Sequence, residues 1–207
     1  MSFDRAHEIA MKHEGFYANN PNDKGGETYR GIARNYHPGW EGWALVDAEK
    51  RRLGVSSLKT NQRINSPTLD SLVKAFYRVK FWRRGWFDKF ADSSLAIQAY
   101  DFYINAGGNA VKVLQRVLND SFGFSLAVDG AMGRNTVNAV NSVPGSELFE
   151  AFKQGRIAYY KRIAKGSNAG FLPGWLKRAS MFNYAGGISA VALLAIFVGL
   201  WLLNKPS

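Results

Sequence analysis

Two carboxyl groups in unlike surroundings can cleave a glycosidic bond, one as a proton donor and the other as an ionised partner. The run from His13 to Ala33 holds the candidates. Glu14 ends a helix-like stretch, is followed at once by Gly15, and has Phe16 and Tyr17 behind it. A carboxyl beside aromatic rings sits in a partly apolar setting, which favours the protonated form that a general acid needs. Asp23 follows nine residues later in a turn-rich loop, and Glu27 with Thr28 opens an extended segment. A carboxylate in that wetter loop could steady an oxocarbenium-like transition state or orient water. Thiol chemistry is excluded, because the chain has no cysteine. Its three histidines do not form an HExxH pair, so neither a metal nor a cofactor is expected.

The elements that must position these groups read as mainly helical. Ser2 to His13 predicts a helix from the spacing of Phe3, Ala6, Ile9 and Ala10. Gly15 to Gly42 is dense in Gly, Asn, Asp and Pro, and Glu27 to Ala33 within it predicts a short strand or hairpin arm. Ser66-Pro67 opens a helix with Leu69, Leu72, Val73 and Phe76 on one face. Further helices are expected over Leu95 to Asn105 and Ala110 to Leu118, parted by Gly107-Gly108, and over Gly133 to Asn141. The longest runs from Ser146 to Ala164, with Leu148, Phe149, Phe152, Ile157, Tyr160 and Ile163 as its apolar stripe. A small, partly β lobe thus accompanies an α-rich body.

The chain of 207 residues carries 27 Lys and Arg against 16 Asp and Glu, a net charge of +11. That excess points to a polyanion: wall polymer, anionic membrane or nucleic acid. Basic residues are scattered apart from Lys50-Arg51-Arg52 and Arg83-Arg84, and no nucleic-acid module is legible, so nucleic acid is not an expected partner. Ala179 to Asn204 has no charge at all, and Ile188 to Leu203 is almost wholly apolar. This length predicts a C-terminal transmembrane helix over 182–204, with lipid as a partner. Lys177 and Arg178 on its flank would keep the preceding domain on the cytoplasmic side of a host or virion membrane. Met1 to Gly15 has no apolar core of a secretory leader.

Glu14-Gly-Phe-Tyr17, Asn20-Pro-Asn-Asp23, Gly25-Gly-Glu-Thr28 and Gly31-Ile32 resemble the signature of glycoside hydrolase family 108, with Phe16 standing where that motif has a second glycine. Tyr77-Arg78, Phe81-Trp82 and Tyr100 to Gly107 extend the likeness. Gln115-Arg116, Leu118-Asn119, Val128 to Gly133 and Phe171 to Trp175 resemble the peptidoglycan-binding region usually fused behind it. The resemblance implies an α+β lysozyme-like catalytic region at 1–108 and a helical peptidoglycan-binding region at 109–178.

It also implies a muramidase cutting the β-1,4 bond between N-acetylmuramic acid and N-acetylglucosamine, with peptidoglycan glycan strands as substrate. Glu14 is then the general acid, Asp23 or Glu27 the second carboxylate, and Thr28 the holder of a water. Tyr17, Tyr29, Gly31, Trp40, Trp43, Asp101 and Asn105 are the candidates for contact with sugar. A lytic transglycosylase and a catalytically silent wall-binding module remain as alternatives. An anchored lytic domain further suggests a phage enzyme acting at virion entry or host lysis.

Overall fold

The computed structural model describes residues 3–21 and 23–185. Packing divides the chain into two compact units, Met1–Arg84 and Gly85–Ser207. In the first unit, helix α1 (Phe3–Met11) buries Phe3, Ala6, His7 and Ala10, the spacing that turns one side of a helix inward. Strands β1 (Tyr17–Asn19), β2 (Glu27–Tyr29) and β3 (Ile32–Ala33) form an antiparallel sheet in the order β1-β2-β3. The register pairs Tyr17 with Tyr29 and Asn19 with Glu27, which places Asp23 in the hairpin loop. Arg30 and Gly31 turn the chain from β2 into β3, both in the left-handed region at φ 50° and 74°.

Helix α2 (Gly42–Leu53) is an element that hydrophobic periodicity did not announce. It turns Trp43 and Val46 inward and carries Lys50, Arg51 and Arg52 in its last turn, where cations suit the negative end of the helix dipole. Gly54, at φ 68°, closes it by donating its N–H to the carbonyls of Arg51 and Lys50. Helix α3 (Pro67–Tyr77) starts as expected: Ser66 accepts the Leu69 N–H, and Pro67 occupies the first turn. A π-helical turn, Arg78–Arg83, continues it and buries Trp82.

The second unit is helical. It comprises α4 (Ser93–Ala106), α5 (Gly108–Phe122), α6 (Arg134–Asn141), α7 (Gly145–Ile163) and α8 (Leu172–Ser180). Helices α4, α5, α6 and α8 all pack on α7. A Cβ on Gly155 of α7 would lie 2.9 Å from side-chain carbons of Val113 and Val117, so glycine there sets the close approach of α5. On α7 the expected stripe is buried at Leu148, Phe149, Phe152 and Tyr160, together with Arg156, a residue that an apolar pattern does not select.

The mainly helical class with a small sheet stands, and the transmembrane helix is corrected. Phe182 to Ala185, placed at its start, is not helical. Phe182 is buried and its carbonyl accepts Lys153 Nζ at 3.0 Å. The Tyr184 hydroxyl donates to Asp92 at 2.7 Å, and the Ala185 N–H donates to Ser94 Oγ at 3.0 Å. These residues serve the packing of the second unit. Among the described residues no helix is long and apolar enough to cross a membrane. The membrane-anchored localisation and the lipid partner therefore lose their support, and the rest of the span, 186–204, lies outside the described residues.

Candidate active site

Glu14 sits on the bend that follows α1, half-buried. The helix tightens before it, with the Lys12 and His13 N–H groups donating to the Ile9 and Ala10 carbonyls. Two turns then clamp the chain behind it. Asn61, at φ 62°, donates its backbone N–H to the Tyr17 carbonyl at 2.7 Å, and its Oδ1 accepts the Phe16 N–H at 3.0 Å. Opposite, Arg30 donates its backbone N–H to the Phe16 carbonyl at 2.6 Å and its guanidinium to the Met11 and Glu14 carbonyls. An open cleft of about 550 Å³ is lined by Glu14, Phe16, Arg30, Asn61 and the end of α1.

The glutamate side chain reaches Gly31. A Cβ on that glycine would lie 2.9 Å from Glu14 Oε2 and 2.7 Å from the Tyr77 hydroxyl, and φ 74° disfavours any other residue. The Tyr77 hydroxyl itself donates to the Arg30 carbonyl at 2.8 Å. His7 of α1 packs between Phe3 on the same helix and Tyr77 of α3. Burial and the nearby charges of Lys74 and Arg30 push its pKa down to about 4, so the ring is neutral near pH 7.

The two rivals for second carboxylate are placed very differently. Asp23 is exposed in the hairpin loop, where Oδ1 accepts the Gly25 N–H at 2.8 Å. Glu27 is nearly buried and fully engaged. Its carboxylate accepts the Tyr17 hydroxyl at 2.8 Å and pairs with Lys50 at 2.8 Å and with Arg34. Asp47 completes this network, 2.7 Å from Arg34 and 2.9 Å from Lys50. The Arg34 guanidinium beside Asp47 holds that carboxyl below the usual range. Thr28 projects to the sheet face opposite Glu27 and Tyr29, with its hydroxyl 3.4 Å from the Ala18 carbonyl.

Several expected sugar-binding side chains prove structural. Tyr17 is 2% exposed and bonded to Glu27 and Ser57; Tyr29 is fully buried and accepts the Ile64 N–H. Burial pushes both phenol pKa values up. Trp43 is buried with its indole N–H on the His37 carbonyl. These three offer no ring face to a ligand, because the pleat and α2 turn them inward. Trp40 is partly exposed and lines a separate pocket of about 470 Å³ with His37, Phe76 and Lys80.

Asp101 belongs to the second unit and is fully buried, bound by Arg156 at 2.7 Å and Arg178 at 2.8 Å. Charge neutralisation in a core explains it better than contact with a sugar. Asn105 is exposed, and its Oδ1 accepts the Tyr160 hydroxyl at 3.2 Å. Among the described residues no cluster of His, Asp and Glu could hold a metal ion. Arg30, Asn61 and Tyr77 were not singled out as site residues, since their roles depend on backbone conformation and on a helix remote in sequence.

The family model described as glycosyl hydrolase 108 matches residues 7–107, and the one described as a predicted peptidoglycan domain matches residues 109–180. No curated protein matches the chain. The chain is similar to the solved structure of Brucella abortus SagA, with a TM-score of 0.58 and 23% sequence identity. That likeness covers 87% of this chain and 90% of the other, and it speaks for a shared fold.

Proposed function

We propose, for a chain whose residues 7–107 match the glycosyl hydrolase 108 family and whose residues 109–180 match a predicted peptidoglycan domain, that this peptidoglycan hydrolase is an N-acetylmuramidase with Glu14 as its general acid. The observation that carries the reading is the seating of Glu14. Its carboxyl lines an open cleft and rests against the backbone of Gly31, a position where a side chain would collide with it. A donor fixed in this way can protonate the glycosidic oxygen as the bond to C1 lengthens.

Asp23 is the second carboxylate in this reading. Glu27 is set aside, because Tyr17, Lys50 and Arg34 already occupy its oxygens. Asp23 lies in the exposed hairpin loop, where it could orient a water, with the Thr28 hydroxyl as a second holder of that water. Trp40 is the remaining aromatic candidate for a sugar face.

Replacing Glu14 by Gln keeps the shape and removes the proton. The Glu14→Gln variant is expected to clear suspensions of purified peptidoglycan at least about 1,000-fold more slowly than the parent chain. Activity within a few-fold of the parent would sink the assignment.

One observation favours a second reading, a lytic transglycosylase, which needs a single carboxyl. Among the described residues, the other acid lining the Glu14 cleft is Glu8, which is exposed and paired with Lys12. Mass spectrometry of the products separates the two. A muramidase leaves a reducing end, and a transglycosylase leaves a 1,6-anhydro end. The entry or lysis role rests on the apolar segment 186–204, which lies outside the described residues.

A further inference from the structure

The strongest unassigned arrangement in the molecule surrounds Arg30. Its backbone lies at φ 50°, a region that glycine adopts freely and an arginine only at a cost. A side chain kept there points to a task for the side chain. The guanidinium donates through Nη1 to the carbonyls of both Met11 and Glu14, each at 3.2 Å. Those two carbonyls close α1 and carry the bend that follows it. One planar cation therefore ties the end of the helix to the residue bearing the acid.

The remaining contacts of Arg30 brace the same loop. Its backbone N–H holds the Phe16 carbonyl, and its own carbonyl accepts the Tyr77 hydroxyl. The guanidinium lies 3.6 Å from the centroid of the Phe16 ring, within the range of a cation–π contact. Arg63 stands over that ring as well, at 5.5 Å. Gly31, the next residue, is the surface on which the Glu14 carboxyl rests.

We propose that Arg30, seated on Phe16, is a positioning residue for Glu14: it fixes the bend at residues 13–16 so that the carboxyl keeps one placement against Gly31. The inference rests on the catalytic reading of Glu14. A loop released by even about 1 Å moves the proton donor away from the glycosidic oxygen, which can cost about 100-fold in turnover. Arg30 and Phe16 also line the cleft, but Arg30 Nη1 is spent on the Met11 and Glu14 carbonyls, so the loss is expected in turnover rather than in substrate binding.

The test compares the parent chain with Arg30→Gly, Arg30→Lys, Phe16→Leu and Glu14→Gln on soluble glycan strands prepared from peptidoglycan. Glycine suits φ 50°, so Arg30→Gly removes the guanidinium without adding backbone strain. Its kcat is expected to fall about 10- to 100-fold with KM within about 2-fold, and millimolar guanidinium is expected to restore part of the loss. Arg30→Lys keeps the charge but lacks the planar fork, and it is expected to remain well below the parent. Phe16→Leu is expected to fall between them. Thermal unfolding of each variant checks that it folds.

Parent-level kcat in a folded Arg30→Gly, beside an inactive Glu14→Gln, would overturn the positioning role alone. A raised KM with unchanged kcat would also overturn it, because that pattern marks a substrate contact. An active Glu14→Gln would overturn both this inference and the catalytic reading beneath it.

Discussion

Gly31 joins the backbone requirement and the chemical one at a single residue. Gly31→Ala would place a methyl group 2.9 Å from Glu14 Oε2 and 2.7 Å from the Tyr77 hydroxyl, on a backbone at φ 74°. The expected cost in chemical denaturation is about 1–3 kcal/mol, with a loss of turnover larger than that of any other glycine in the sheet region. His7 supplies a second prediction, and its sign follows from burial. The folded pKa of about 4 lies below the ordinary 6.5, so between those values the unfolded chain binds more protons. Stability is therefore complete above about pH 6.5 and is lost as pH falls towards 4. Replacing His7 by Phe should remove on the order of 2 kcal/mol of that pH dependence, read as a flatter midpoint between pH 4 and 7 in urea. Glu14 could be singled out from sequence because its residue type, its place at a helix end and the motif around it agree. Arg30 could not, since nothing in its type or spacing signals a left-handed backbone.

At the scale of elements, helix α2 supplies a cation to Glu27, one of the two rival carboxylates. Its charged face brings Asp47 and Lys50 to Glu27, and the triplet Lys50-Arg51-Arg52, read from sequence only as a basic run, divides its work. Lys50 pairs inward with Glu27, while Arg52 pairs with Glu49 on the helix surface. The helix escaped the periodicity reading because it buries little more than Trp43 and Val46, too sparse a stripe to stand out. Its stop signal was legible all the same, in three cations followed by Gly54. Helix α8 resolves Asp101 in the same manner. Arg178, which charge patterning had set at a membrane edge, is the second cation on that buried acid. Asp101→Asn leaves Arg156 and Arg178 without their anion, and a loss of about 3–5 kcal/mol is expected in urea denaturation. Activity on peptidoglycan should persist wherever the variant remains folded, which separates Asp101 from the catalytic set.

At the scale of the whole molecule, a net charge of +11 meets an anionic wall polymer, and the attraction is long-ranged and sensitive to salt. Co-sedimentation with purified peptidoglycan should weaken at least about 5-fold between 50 and 500 mM NaCl, and Glu14→Gln should bind as the parent does. Binding indifferent to salt would show that the charge excess plays no part in wall attachment. The two matched segments, 7–107 and 109–180, meet close to Gly107-Gly108, whereas the compact units divide at Arg84 and Gly85. Helix α4 accounts for the difference: it falls within the first matched segment, yet it packs with α5 and α7. By itself the sequence determined the helical class, the turn-rich loop that holds Asp23, the helix start at Ser66-Pro67 and the candidacy of Glu14. Each of these rests on local chemistry: side-chain spacing, a capping hydroxyl or a motif contiguous in the chain. Tertiary structure alone decided that Glu27 and Asp101 are paired with cations, that Tyr17, Tyr29 and Trp43 face inward, and that Glu14 lies against Arg30 and Gly31. Those outcomes depend on which distant cation or backbone turn arrives beside a residue. Such meetings follow from packing, on which the periodicity of a single segment carries no information.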